Sequence, residues 1–256
     1  MGQKLDNAIS LYLEGIRDGN IDVVDKYTGD RYTQHSTGVE DGTEGFKAFF
    51  KGFLQRTSKR DIQVIRAIED GPYVFVHVFQ DIDHGTAKWI TTDMFNTDES
   101  DKIVEHWDVI AAYTEIENTA SGNDVIFGEF ELKDLDKTEY NKAHVRRFLV
   151  EIFQNKNYEK LPEFISTEKY IQHNPNAHNG IEGLETLLTT LNFQYDFVFH
   201  VMGQGNHVVS YSKVSMNGEE YAVFDIFRLE AGKIVEHWDN IEPIPPRSEW
   251  ANTGKF

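Results

Sequence analysis

The heptapeptide Lys102-Ile103-Val104-Glu105-His106-Trp107-Asp108 recurs letter for letter as Lys233-Ile234-Val235-Glu236-His237-Trp238-Asp239, 131 residues later. It carries a histidine and an aspartate two residues apart, which an extended strand puts on one face. In the second copy Val235, His237, Asp239 and Ile241 share that face, and the preceding strand-like run groups Tyr221, Val223, Asp225 and Phe227. A carboxylate in an otherwise apolar row is informative, because charged side chains are almost never fully buried without a partner. Reading Leu229 to Lys233 as a three-residue loop, a type I turn with a G1 bulge, sets Asp225 opposite His237 and diagonal to Asp239. In the first copy a four-residue loop from Thr97 to Lys102 sets Asp93 opposite His106, with Asp108 diagonal. Opposed Cβ atoms lie about 4.5–5.5 Å apart and diagonal ones about 7–8 Å. Burial and a neighbouring negative charge raise a carboxyl pKa while an imidazolium lowers it, and that opposition tunes an acid/base group. The other reading of the same residues is a buried Asp–His pair that only ties the hairpin together.

His35 and His173 occupy a shared Tyr-x-Gln-His setting, with Tyr32 and Tyr170, in a loop, and are candidate pocket polar groups. His77 and Tyr211 fall near one another in the aligned strands and are candidate further donors. Trp107 and Trp238 alternate away from the His and Asp, so they pack on the sheet's other face or at a domain interface. The chain has no cysteine, which excludes thiol nucleophiles, disulfides and Cys-ligated metal sites. Gly203-Gln204-Gly205 lacks the third glycine of a dinucleotide loop, and there is no P-loop, G-x-S-x-G elbow or H-E-x-x-H. The expectation is a site without cofactor and without metal.

The elements that must hold these residues are also repeated. Tyr32, Gln34, His35, Gly42, Glu44 and Gly45 meet Tyr170, Gln172, His173, Gly180, Glu182 and Gly183 at a constant offset of 138. A period this long is far beyond solenoid repeats of about 20–50 residues, so each copy closes its own core. The reading is two homologous domains, 1–118 and 138–256, with 119–137 as tail and linker. Asn118-Thr119-Ala120-Ser121-Gly122-Asn123 there echoes Asn252-Thr253-Gly254-Lys255-Phe256.

Leu5, Ile9, Tyr12, Leu13 and Ile16 have helical spacing, as do Val145, Phe148, Leu149, Ile152 and Phe153. A short apolar stretch (Val23–Tyr27; Tyr158–Ile165) and the His loop follow. A second helix then carries Phe46, Phe49, Phe50 and Phe53, or Leu184, Leu187, Leu188 and Leu191. Four strands complete each copy: Ile62–Ile68, Tyr73–Asp81, Lys88–Phe95 and Ile103–Tyr113, matched by Tyr195–Met202, His207–Met216, Tyr221–Leu229 and Ile234–Ile241. Helices followed by an antiparallel meander make an α+β domain, its helices closing one face of a curved sheet.

Net charge is −18, with −11 in residues 1–128 and −7 in residues 129–256, so neither half is basic. Nucleic-acid and anionic-membrane partners are therefore not expected. No stretch approaches the roughly 18 apolar residues of a membrane span, and the start lacks the apolar run of a secretory signal; a cytoplasmic chain is the expectation.

The element order and the Lys-Ile-Val-Glu-His-Trp-Asp strand resemble the SnoaL-like branch of the NTF2-like superfamily. The chain is similar in particular to SnoaL-like proteins predicted to catalyse aldol condensation, through Tyr170-Ile171-Gln172-His173-Asn174-Pro175 and Asp225-Ile226-Phe227-Arg228. The resemblance implies a pair of tandem cone-shaped α+β barrels, each with an apolar pocket. It also implies pairing through sheets, here as an intramolecular pseudo-dimer, with a homodimer as a further expectation. In the family's polyketide cyclases the Asp after His-Trp is the acid/base residue, which implies that role for Asp239 and Asp108; their pocket His falls where this chain has Asp225 and Asp93.

The function expected is proton abstraction next to a carbonyl of a small apolar substrate, with His237 or His106 beside the base, for isomerisation, dehydration or aldol/cyclase closure. The alternative is a non-catalytic module binding a small apolar carbonyl or carboxylate ligand. Because the second copy keeps His173-Asn174-Pro175 where the first reads His35-Ser36-Thr37, Asp239→Asn is expected to lower activity more than Asp108→Asn.

Overall fold

Each copy begins with an amphipathic helix whose apolar stripe has nothing to cover it but the sheet that follows. In the computed structural model, which describes residues 2–256, the first is α1 (Gln3–Ser10), continued by a π-helical turn over Leu11–Arg17 and stopped at Gly19 with φ of 78°. Then come α2 (Val23–Tyr27), β1 (Thr28–Gln34), α3 (Gly42–Arg56), β2 (Arg60–Asp70), β3 (Tyr73–Ile82), β4 (Ala87–Thr97) and β5 (Ile103–Ala112). The second copy repeats the order with α4 (Thr138–Phe148), a π-helical Leu149–Gln154, α5 (Leu161–Phe164), β6 (Ile171–Gln172), α6 (Gly180–Thr190), β7 (Phe193–Gln204), β8 (His207–Met216), β9 (Glu219–Glu230) and β10 (Lys233–Pro243).

The sheets run β1-β5-β4-β3-β2 and β6-β10-β9-β8-β7, antiparallel except that β1 and β6 pair parallel to the last strand. The eight meander strands fall where period-2 alternation predicts them. The parallel edge strand is the element the sequence reading leaves as loop. Of β1 only Thr28, Tyr32 and Gln34 are buried, so no run of alternating apolar residues marks it. Its end is pinned by side chains: Asp41 Oδ1 accepts from Gln34 N at 2.7 Å, and Asn179 Oδ1 from Gln172 N at 2.9 Å.

The repeated glycines have two jobs. Gly42 and Gly180 open their helices at φ of 81°, a conformation costly for a side chain. Gly45 and Gly183 approach the preceding loop so closely that a Cβ would stand 2.2 Å from Glu40 O or 2.1 Å from His178 O.

The fold clusters into two compact units. One comprises the residues up to Ala112 with Ile244–Phe256, and the other Tyr113–Pro243. The grouping of the closing segments has a hydrogen-bonding cause, since backbone groups leaving a sheet need new partners. In the first unit Ala251 N donates to Thr37 O, and Asn252 Nδ2 donates to Ser36 O and Val39 O. In the second, Ala120 N donates to Pro175 O and Asn123 Nδ2 to Gln172 O. Each unit is thus closed by the segment that follows the other copy's last strand.

Residues 1–118 prepared alone should therefore melt lower than the same polypeptide given an excess of a peptide of residues 244–256. At about 1 kcal/mol of binding stabilisation the rise is about 4–8 °C for a domain of this size, read by thermal scan. No response to the peptide would place the segment elsewhere.

Candidate functional site

The site grows from the last hairpin of each unit. The β9–β10 turn is Ala231-Gly232 alone, with φ of 48° and 77° and Glu230 paired to Lys233, the two-residue geometry that matches strand twist. An irregularity between Ile234 and Glu236 adds one further residue to β10, and the matching one sits between Asn96 and Thr97 against β5. In the first unit the loop is instead one residue longer than expected, Thr97 pairing with Ile103, and in each unit loop and irregularity together move the register by two residues from the expected one. Asp225 faces Asp239 and Asp93 faces Asp108, while the histidines face Phe227 and Phe95. A shift of two keeps every side chain on its face, where a shift of one would have turned the cluster outward. The Asp–His contacts form as diagonals.

In the first unit His106 Nε2 donates to Asp93 Oδ1 at 2.7 Å, and the Tyr12 hydroxyl donates to Asp93 Oδ2. His106 Nδ1 is buried without a hydrogen-bond partner. Asp108 Oδ1 accepts from Lys255 Nζ at 2.8 Å, and the same ammonium donates to the Asp108 carbonyl at 2.8 Å. Burial raises the Asp93 carboxyl above its ordinary range despite the bonds from His106 and Tyr12. Burial acts on Asp108 too, but the Lys255 ammonium and His106 overcome it and hold that carboxyl below its ordinary range. Burial beside Asp93 keeps the Tyr12 phenol protonated far above neutrality.

Tyr12, Asp93, His106 and Asp108 line a cavity of about 470 Å³. Phe46, Phe49, Phe50, Phe53, Trp89 and Ile110 form its apolar walls, and Gln34, Asp93, His106 and Asp108 its polar part, with Arg56 and Asp83 also lining it. The size is that of a small-molecule site.

The second unit assembles the same triad in another setting. His237 Nε2 lies 3.1 Å from Asp225 Oδ1, and its Nδ1 lies 3.0 Å from Gln172 Oε1, so both ring nitrogens are engaged. The Tyr195 hydroxyl reaches both Asp225 oxygens at 3.1 Å, and Asn174 Nδ2 donates to Asp239 Oδ2 at 2.7 Å. Burial raises the Asp239 carboxyl beyond what His237 and Asn174 take back. Ligand atoms of Asp225, His237 and Asp239 lie within 4.8 Å of one another, close enough to share a cation, although Tyr195 and Ser210 already use the Asp225 oxygens. Leu184, Leu188, Tyr170 and Tyr195 belong to one packed core here. A cavity of about 520 Å³ in this unit is lined by Arg146, Phe197, Phe199 and their neighbours, and by none of the triad.

Four candidates lie off the cluster. His77 pairs with Thr92 and Tyr211 with Phe224, each one residue out of phase with Asp93 and Asp225, so both sit on the opposite sheet face. His77 meets Arg66 there, and Tyr211 stacks on Phe224 at 4.4 Å. His35 and His173 stack on Trp107 and Trp238 at 4.8 and 4.5 Å, also on that face. Their ring nitrogens hold Glu105 and the Gly254 carbonyl in one unit, and Glu236 and the Asp124 carbonyl in the other. They clasp the closing segments instead of lining the pocket. Tyr32 and Tyr170 are buried beside the carboxylates, each accepting a hydrogen bond from Gln34 or Gln172 at 3.2 Å. Tyr12, Tyr195 and Lys255 are the members the sequence reading missed. Tyr12 hides in the helix's apolar stripe, and Lys255 lies 147 residues from its partner.

Residues 7–116 match the family model described as SnoaL-like polyketide cyclase, and residues 145–237 that described as SnoaL-like domain. Among solved structures, IdmH from Streptomyces antibioticus, provisionally assigned as a polyketide cyclase, is similar at 15% identity over 43% of this chain and 92% of its own, with a TM-score of 0.38. A Kribbella flavida protein, provisionally assigned as a ketosteroid isomerase, is similar at 13% identity over 43% and 87%, TM-score 0.37. An LEH-like epoxide hydrolase of M. tuberculosis is similar at 16% over 42% and 82%, TM-score 0.36. No curated protein matches the chain.

Tyr12→Phe removes a hydrogen bond to a buried carboxylate and should cost about 1.5–3 kcal/mol in denaturant unfolding. It should also move the Asp93 titration upward, because a donor to the charged form is lost. A cost within about 0.5 kcal/mol, the range of an ordinary surface change, would remove Tyr12 from the site.

Proposed function

Since the chain is a tandem of SnoaL-like domains of the NTF2-like superfamily, we propose that its first unit is a cofactor-independent acid/base enzyme acting on a small, largely apolar carbonyl compound. The observation that carries this reading is the apolar cavity of about 470 Å³ in which Asp93, His106 and Asp108 converge. Asp93 holds the His106 Nε2–H, and the Nδ1 lone pair, unpartnered but sealed from solvent as it stands, takes a proton from the carbon next to the carbonyl once the ring turns towards the cavity. The ionised Asp108 stabilises the imidazolium so formed, and the imidazolium returns the proton to the enolate at another atom or to a departing hydroxyl. Isomerisation, dehydration and aldol closure all draw on that sequence. Asp108, the base that the family resemblance implies, is the weaker base here because Lys255 neutralises it.

A binding module is the second reading, and the same ion pair favours it: a carboxylate seated on a lysine can orient a polar ligand without taking its proton. For the triad of Asp225, His237 and Asp239 the packed Leu184, Leu188 and Tyr195 favour a supporting role. The expected ranking of the copies therefore reverses, with the first unit ahead.

Exchange of α-protons for deuterium in a panel of small cyclic and aryl ketones, followed by NMR, tests this directly. Asp93→Asn and His106→Gln should each lower exchange about 10²–10⁴-fold, the usual contribution of general acid–base catalysis. Asp239→Asn should change it by less than about tenfold, a barrier difference under about 1.4 kcal/mol. Ketone binding without exchange would leave the module reading in place, and a larger loss in Asp239→Asn than in His106→Gln would move the site to the second unit.

A further inference from the structure

Two carboxylates that face each other inside a sheet repel, and burial multiplies the repulsion. The first unit meets this with a countercharge from a distant part of the chain. Lys255 Nζ lies 2.8 Å from Asp108 Oδ1 and 2.8 Å from the Asp108 carbonyl, and only 1% of its side chain is exposed. Burying an ammonium so completely costs several kcal/mol unless it is paired and hydrogen-bonded. Lys255 is absent from the cavity lining, so it acts on the cavity through Asp108.

The second unit offers an internal comparison. The two closing segments are anchored alike: Ala251 N donates to Thr37 O as Ala120 N does to Pro175 O, and His35 Nδ1 holds the Gly254 carbonyl as His173 Nδ1 holds that of Asp124. The next residue is Lys255 in one and Val125 in the other, and Val125 is buried at 5% exposure. The ammonium is thus confined to the unit whose carboxylates line the cavity of about 470 Å³.

We propose that Lys255 is a positioning residue of the first-unit site, keeping Asp108 ionised and fixed opposite Asp93 so that both carboxylates are charged when His106 accepts a proton. The assignment rests on the acid/base reading above for its catalytic consequence and on the ion-pair geometry alone for the charge state. The titratable and polar groups facing Asp108 are Asp93 and His106 from the sheet, Tyr12 and Tyr32 from the first helix and β1, Ser36 from the loop, and Lys255 itself. Of these, only Lys255 and a protonated His106 bring positive charge. Without Lys255 the carboxylate pair takes up a proton in its place, and His106 faces a pair one charge poorer.

The test is a carboxyl titration by ¹³C NMR on protein labelled at aspartate Cγ, in wild type, Lys255→Gln and Lys255→Arg. Gln can still donate to both Asp108 oxygens but carries no charge. In Lys255→Gln the Asp108 carboxyl should titrate about 1–3 pH units higher than in wild type, the usual effect of losing a close opposite charge, and Lys255→Arg should restore it. The acid limb of the exchange rate should move up with it, while the KM for the ketone changes little. An Asp108 titration that is the same in Lys255→Gln as in wild type overturns the proposal, as does an Arg variant that behaves like the Gln variant.

Stability gives a reading that survives poor folding of the Gln variant. In wild type the depressed carboxyl contributes stability that is present above the ordinary carboxylate range and lost as pH falls through the depressed value. In Lys255→Gln the raised carboxyl reverses the slope, so folding should improve as pH falls from 7 towards about 5. A Gln variant in which this improvement is missing, its stability over that interval matching that of wild type, also overturns the proposal. If the titration moves but no ketone exchanges, the positioning role stands and the carbonyl reading fails.

Discussion

The opposition of two carboxylates across the last hairpin is the constraint on which the rest of each unit depends. Asp93 faces Asp108 and Asp225 faces Asp239 at directly paired positions, and all but Asp239 are nearly sealed from solvent. Burying like charges this close is unfavourable by several kcal/mol unless each oxygen finds a donor and the pair finds a cation. The helix above the sheet, the loop that leaves the parallel edge strand and the closing segment all bring such groups. Tyr12 comes from the helical stripe, Asn174 from the loop after β6, and Lys255 from the segment beyond β10. The helix that presents Tyr12 changes to π-helical hydrogen bonding at Leu11, an alteration of the ladder that tends to occur at functional sites because it re-aims side chains.

The two copies answer the same constraint with different chemistry. The first uses a lysine, leaves one histidine nitrogen without a partner and has a cavity walled by the phenylalanines of α3. The second replaces the lysine by valine and engages both histidine nitrogens. It also covers its inner carboxylate with the Tyr195 phenol and packs leucines of α6 into the core. Engaging the second histidine nitrogen removes a free lone pair that a reaction would need and adds a hydrogen bond, while the phenol on the inner carboxylate is common to both units. A buried polar network whose histidine is hydrogen-bonded at both nitrogens resembles a structural tie.

Period-2 alternation made the meander legible, because half-buried antiparallel strands must separate polar from apolar side chains. It also placed Asp93, His106 and Asp108 on one face correctly while misjudging their register by two residues. In the first unit that error came from a loop one residue longer than expected, Thr97 pairing with Ile103, and an irregularity beside it; in the second it came from a turn one residue tighter than a G1-bulge loop and an irregularity in the last strand. His77 and Tyr211 went to the wrong face because their alignment rested on the middle strands, where no turn fixed the phase. The edge strand β1 stayed hidden because Thr28-Gly29-Asp30-Arg31 has the composition of a loop and is held by parallel pairing to β5 at Thr28, Thr33 and Gln34.

The closing segments were the least legible part, and their physics says why. A short polar run such as Trp250-Ala251-Asn252-Thr253-Gly254 carries no periodicity, and its place is decided by individual hydrogen bonds to loops that could belong to either copy. The echo between this run and residues 118–123 was visible, but an echo shows that two segments do similar work without showing which unit each works for. The consequence reaches the chemistry. A residue written after the second copy's last strand, Lys255, sets the charge balance of the first copy's carboxylates. The corresponding residue after the first copy's last strand, Val125, leaves the second copy's pair to protons and hydrogen bonds. Two units with the same heptapeptide therefore differ in the charge around their carboxylates while the motif itself remains identical.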